Sequence, residues 1–246
     1  MKFLRSNKKP KNRFFNLKLK LILTLFILTF GFWASNKYIP SQHLLWRSLN
    51  PDAPVGVATS IQLTRVGFSP NFTCENLARR AKHLHSTPAD PKDGPEVCGW
   101  NKARWVSARG TIKLTPRDST MQCPLALGAH IWAGEIDRLA QKHFKQSVVK
   151  IHHAGTYSCR RQRGNSSGAW SEHAFANAWD ITGFTLSNGE VISVLKDWNG
   201  AANKKQFLRG VRSQACKIFR VTLSPDYNEA HRDHFHVDMG PTKACR

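Results

Sequence analysis

Hydrophobic and polar positions along this chain change their rhythm several times, and each rhythm predicts a different element. An apolar run covers Leu21 to Ala34. From 36 to 60 the pattern loses its period and carries Pro40, Pro51 and Pro54, which reads as a linker or extended arm. Cys74 to Ala81 reads as a short helix, and His85 to Gly99, rich in Pro, Asp and Gly, as a loop. Pro124 to Phe144 predicts a helix: Pro suits a first turn, and Leu125, Trp132, Ile136, Leu139 and Ala140 fall roughly on one face. Lys204 to Phe219 predicts a second, with Phe207, Leu208, Val211, Ala215 and Ile218 as its core stripe. Val148 to His152 and Val221 to Leu223 read as strands. Ala178 to Thr185, rich in aromatic and β-branched residues, reaches Ser187-Asn188-Gly189 and then Val191 to Val194, a hairpin pattern. Near the end, His234, His236 and Asp238 alternate with Phe235 and Val237, so one face of a strand is polar and the other apolar. Hairpins mixed with helices point to an α+β fold, expected as a small antiparallel sheet with flanking helices over 61–240 and a tail at 241–246.

The N-terminal run changes where this domain must work. Residues 1–20 form a basic leader with eight Lys or Arg and no acid. The apolar segment 21–35 follows it, as in a membrane anchor or the h-region of a signal. A full span needs about 20 residues. Leu17 and Leu19 extend this one, and Lys18 and Lys20 can snorkel. Phe32-Trp33-Ala34-Ser35 puts bulky rings where a cleavage site wants small residues. The expectation is an inner-membrane protein with one retained anchor and its domain in the periplasm, or a secreted domain if the leader is cut.

Six cysteines agree with export, because an even count outside the cytosol reads as three disulfides. Cys74 with Cys98 is the expected early pair, and Cys159 with Cys216 would tie the site region to the second helix. No Cys-x-x-Cys occurs, which argues against a cysteine zinc site. Net charge is +21, and +13 remains outside the leader. Such a balance suits nucleic acid or an anionic envelope polymer, and export argues against nucleic acid.

Candidate chemistry sits in two segments. Ser171-Glu172-His173 leads to Asp180, and His231-Arg232-Asp233-His234-Phe235-His236 comes later. A catalytic zinc takes three protein ligands from His, Asp or Glu and leaves a fourth position to water. His173, Asp180 and one late histidine would make that set. Asp238 reads as a hydrogen-bond partner behind a ligand. Histidines 43, 83, 85, 130, 143, 152 and 153 lack partners at ligand spacing and read as surface or core residues.

These motifs resemble known zinc peptidases, among them D-Ala-D-Ala dipeptidases, D-Ala-D-Ala carboxypeptidases and murein endopeptidases. Other stretches resemble the bacterial extensin-like C-terminal domain more specifically: Thr156-Tyr157-Ser158-Cys159-Arg160, Asp180-Ile181 with Gly183-Phe184, Phe207-Leu208-Arg209, His231 through Asp238, Cys98-Gly99 and Cys123-Pro124. That likeness spans roughly Ser60 to Gly240. The zinc-peptidase likeness implies His236 as the third ligand beside His173 and Asp180, with zinc as the cofactor. It implies His234, then His231, then Asp233 as acid-base groups, and Arg160 as the oxyanion partner, with Arg161 and Arg163 as competitors. Ser171 matches a substrate-contacting serine. Ala176 stands where relatives usually have Gly, and a backbone needing positive φ would object to it. The function implied is hydrolysis of peptide bonds in peptidoglycan. The rival from another class is a wall-binding domain that keeps the fold without turnover. Protein partners have no signal in the sequence.

Overall fold

The computed structural model describes residues 13–116, 118–162 and 167–246. Met1 to Asn12 of the basic leader and Arg163 lie outside them. The chain opens with helix α1 (Arg13–Tyr38), whose segment Leu17–Tyr38 is long and apolar enough to cross a membrane. A 3-10 turn at Ser41–His43 leads to α2 (Thr59–Phe68) and α3 (Asn71–Arg80). Six strands follow: β1 (Leu84–Ala89), β2 (Lys92–Asp93), β3 (Gly99–Trp100), β4 (Ala103–Arg109), β5 (Ile112–Thr115) and β6 (Ser119–Gln122). Then come α4 (Cys123–Phe144), β7 (Val148–Gly155), β8 (Ala178–Leu186), β9 (Val191–Ser193), α5 (Val194–Asp197) and α6 (Ala202–Ile218). The chain closes with β10 (Val221–Leu223), β11 (Phe235–Asp238) and β12 (Ala244–Cys245).

The fold is mixed α and β, as the pattern predicts, but its sheet is not small and antiparallel. Ten strands form it, in the order β1-β4-β5-β7-β8-β11-β10-β12, with β6 added to β4 and β9 to β8. The β5–β7 and β10–β12 pairs are parallel. The added strands come largely from residues 84–122, part of which reads as a loop. Pro88 is the reason that this stretch does not look like a strand. It lies in β1, an edge strand, where the missing N–H is tolerated. The stretch expected as a tail carries β12, so it belongs to the sheet.

Helices α4 and α6 cover the sheet. The stripe Phe207, Leu208, Val211, Ala215 and Ile218 is wholly buried, as its period predicts. Trp132 of α4 centres the core, edge-on to Trp179, Phe219 and Phe235. Large rings packed in this way stabilise beyond their buried area, by about 0.5–1.5 kcal/mol per pair. Gly128 lets Phe219 approach α4, since a Cβ there would stand 2.8 Å from the ring. The β8–β9 hairpin turns through Gly189 at φ 87°, as the Asn-Gly signal predicts.

The arm between α1 and α2 is bound to the domain rather than free. The Gln62 amide donates to the carbonyls of Ser41, Leu44 and Arg47 at 2.9–3.0 Å. Asp52 meets His130 of α4 at 3.0 Å and accepts from the Lys82 N–H at 3.1 Å. The Val55 N–H donates to Glu135 at 2.9 Å. Burial pushes His130 down to about 4, against the pull of Asp52, so it stays neutral at pH 7.

All six cysteines are paired, but neither expected partnership holds. Cys74 joins Cys123, Cys98 joins Cys159, and Cys216 joins Cys245. Docking decided the pairing: Cys74 on α3 faces the first turn of α4, Cys98 beside β3 lies over the loop after β7, and Cys216 of α6 lies against β12. Non-reducing peptide mapping should recover these three pairs, and any other pairing would contradict the fold. Replacing both Cys74 and Cys123 by Ala should cost about 2–5 kcal/mol in denaturant titration.

Candidate metal centre

Three elements bring the site together. A single 3-10 turn at Glu172–Phe175 carries His173. The Ser171 hydroxyl caps that turn, accepting from the His173 N–H at 3.3 Å. Ala176 ends it in the left-handed region at φ 52°, buried, and turns the chain into β8. So the backbone does need positive φ at Ala176, at a cost of about 1–2 kcal/mol. Strand β8 then presents Asp180, and β11 sets His236 directly opposite it in the antiparallel register. Phe235 and Val237 point into the core on the other face.

The donor atoms of His173, Asp180 and His236 all lie within 4.8 Å of one another. His173 Nε2 is 3.1 Å from Asp180 Oδ2 and 3.3 Å from His236 Nδ1. His236 Nδ1 is 2.9 Å from Asp180 Oδ1. Tetrahedral zinc with bonds near 2.0–2.1 Å wants ligand atoms about 3.3 Å apart. The imidazoles are also set for ligation. His173 Nδ1 lies 3.2 Å from the Thr156 carbonyl, so it carries the proton and Nε2 keeps its lone pair. His236 Nε2 lies 3.0 Å from Asp238, so Nδ1 keeps its own. Two lone pairs aimed at one point repel unless a cation lies between them. The donor set therefore fits a metal ion with nitrogen and oxygen ligands.

A proton can fill the same role. Burial lowers the affinity of His236 for one, but Asp180 and Asp238 outweigh it and push its pKa up to about 9. Burial alone would raise the Asp180 carboxyl, yet the adjoining His173 and His236 hold it far below the usual carboxylate range.

The remaining candidates stand around this cluster. His234 Nδ1 donates to Asp233 at 2.8 Å, and its Nε2 lies 3.8 Å from Asp180 Oδ1. Asp233 is thus taken up in orienting His234. His231 bonds Asn228 at 2.7 Å, and its ring centroid is 5.1 Å from that of His234. Burial, followed by the charges of His234 and His236, pushes His231 down to about 4, and Arg160 adds to the effect. Arg160 is exposed and close enough for His231 to feel its charge. Arg161 is engaged elsewhere, 4.2 Å over the Trp170 ring and 3.2 Å from Glu96. Ser171 is buried in its capping bond, and Tyr157 packs edge-on against Trp100. Among the other histidines, His130 and His152 bond Asp52 and Thr185 and stand apart from this cluster.

Comparison with known families decides the lineage. The family model described as "Extensin-like protein C-terminus" matches residues 72–246. The chain belongs to that family. The match begins in α3 and takes in all three disulfides, β12 and every residue of the cluster. Searches of curated proteins and of solved structures found no match.

Some supports of this extensin-like site escaped sequence reasoning. The Thr156 carbonyl is a backbone group, and no side-chain pattern marks it. Glu172 accepts from the Asn177 amide at 2.6 Å behind His173, and a Cβ at Gly240 would strike it. Burial raises its pKa, against the Asn177 bond. Its place just before the first histidine was the available signal.

The raised pKa of His236 has a sign that can be tested. Below about pH 9 the metal-free domain carries a proton there, which a divalent ion must displace. Affinity should rise with pH, by up to about tenfold per unit. Calorimetry at pH 7 in buffers of different ionisation heat should find about one proton released per zinc bound. No proton release would contradict ligation through His236 Nδ1.

Proposed function

We propose that this domain is an exported, zinc-dependent peptidase that hydrolyses peptide bonds in peptidoglycan stems or cross-links. The observation that carries the reading is the convergence of His173, Asp180 and His236 with both imidazole tautomers preset. His173, Asp180 and His236 would hold the zinc, which supplies a Lewis acid and a water ionised near neutral pH. The surrounding residues suit the remaining steps. His234, held by Asp233, presents Nε2 as a proton acceptor beside the cluster, so it can take a proton from attacking water and pass it to the leaving amine. His231, neutral at pH 7, offers a second proton-handling ring. The Arg160 guanidinium would face the oxyanion that develops on the scissile carbonyl. The apolar α1 and the positive balance outside the leader suit an envelope location and an anionic polymer substrate.

Purified peptidoglycan digested with the domain, followed by muropeptide analysis, tests the reading and names the bond cut. His173→Ala, Asp180→Ala and His236→Ala should each lose metal and activity together. His234→Ala and Arg160→Ala should keep metal, with turnover lower by roughly 10²–10⁴-fold and 10²–10³-fold respectively. Full metal loading with no hydrolysis of any peptidoglycan preparation would favour the wall-binding reading. Loss of zinc from His234→Ala but not from His236→Ala would invert the ligand assignment.

A further inference from the structure

An exposed apolar surface continues from the end of α1 onto the domain. Trp46 of the arm packs against Phe32 of α1 at 5.6 Å, and its Nε1 donates to Asn36 at 3.2 Å. This fixes the arm beside the last turns of the apolar helix. Trp46 and its neighbour Leu45 remain 54% and 46% exposed. The Leu45 carbonyl accepts from Arg65, which places α2 next to this turn. Ile61 and Phe68 stand four before and three after Arg65, on the same side of α2, and are 42% and 89% exposed. Gln62, Leu63 and Val66 occupy the buried side. A phenyl ring left almost wholly in water, on the same helix face as exposed Ile61, marks a contact surface.

Cationic side chains gather here. Lys37 lies over the Trp33 and Tyr38 rings at the end of α1. A polar pocket of about 360 Å³, lined by Trp46, Arg47, Asn50 and Arg80 among others, opens beside the exposed tryptophan. Asp52 of the same arm is committed to His130 and the Lys82 N–H. Arginine suits phosphate in particular, because its planar fork can bond two oxygens at once. Tryptophan and tyrosine favour the level where lipid headgroups meet acyl chains.

We propose that this face rests on the bilayer: Leu45, Trp46, Ile61 and Phe68 enter the headgroup–acyl boundary, and Arg47 and Arg80 bind the phosphates of anionic phospholipids. The occupant follows from continuity with α1 and from charge. The inference rests on α1 being retained as a membrane helix. It makes the domain docked on its leaflet, not swinging on a tether, in keeping with the bonds that Gln62, Asp52 and Val55 make along the arm.

The test uses the full chain in nanodiscs, with intact mass confirming that α1 is present. The photoreactive residue p-benzoylphenylalanine replaces Phe68, or Val191 on β9 as an exposed comparator. In discs containing phosphatidylglycerol, lipid adducts at 68 should greatly exceed those at 191. Each basic side chain near an anionic surface is worth roughly fivefold in partition. Arg47→Gln with Arg80→Gln should therefore reduce the docked-to-undocked ratio by roughly 25-fold. Arg47→Lys with Arg80→Lys should keep most of the yield, which separates lost charge from misfolding. Adducts at 68 no more frequent than at 191, or adducts to a second protein copy instead, would overturn the proposal. Equal yields in phosphatidylcholine discs and in the Gln pair would overturn its headgroup half. Cleavage of α1 in cells, read from the intact mass of the cellular protein, would overturn the premise of a retained helix, a result distinct from any of these.

Discussion

The antiparallel register between β8 and β11 is the constraint on which the site depends. It sets His236 opposite Asp180 and sends Phe235 and Val237 into the core, where Phe235 packs against Trp132 and Trp198. A slip of one residue would bury the histidine and expose the phenyl ring. Core packing and site assembly are therefore one requirement. The same bonds that make β11 a strand bring two of the three donors to within 2.9 Å. The third arrives by a different route, through a capped 3-10 turn that ends in a strained alanine. That residue is buried at positive φ where glycine would sit without cost, so strain is stored one turn from a candidate ligand.

Electrostatics tighten the arrangement. Asp180 lies against both imidazoles, and Asp238 and the Thr156 carbonyl hold the far sides of their rings. Each imidazole is fixed from behind, so the lone pairs in front have little freedom to turn away. Around them the groups divide by environment. His231 is held neutral by burial and by neighbouring positive charge, while His234 has a carboxylate partner of its own. Such division would suit acid-base chemistry, and it is why the proposed reading is a peptidase and not a passive wall-binding module.

Much of this was legible in the sequence because it is written in local period. The α6 stripe, the start of α4 at its proline, the Asn-Gly hairpin and the alternation from His234 to Asp238 follow from side-chain spacing alone. What failed depends on docking between distant segments. Cys98 could find Cys159 only once the β2–β3 hairpin lay over the loop after β7. Strand β1 hid behind its proline, which an edge position tolerates. The arm's attachment rests on single polar residues, Gln62, Asp52 and Glu135, that look like ordinary surface groups until their partners arrive.

The identity of the ligands decides most directly whether this cluster is a zinc centre. X-ray absorption at the zinc edge, on protein purified without chelator, reads them without any assay of turnover. The account predicts about one zinc per chain, with two imidazole nitrogens, one carboxylate oxygen and a further light-atom ligand, near 2.0–2.1 Å and without sulfur. Sulfur among the ligands, a single imidazole, or no bound transition metal would contradict it.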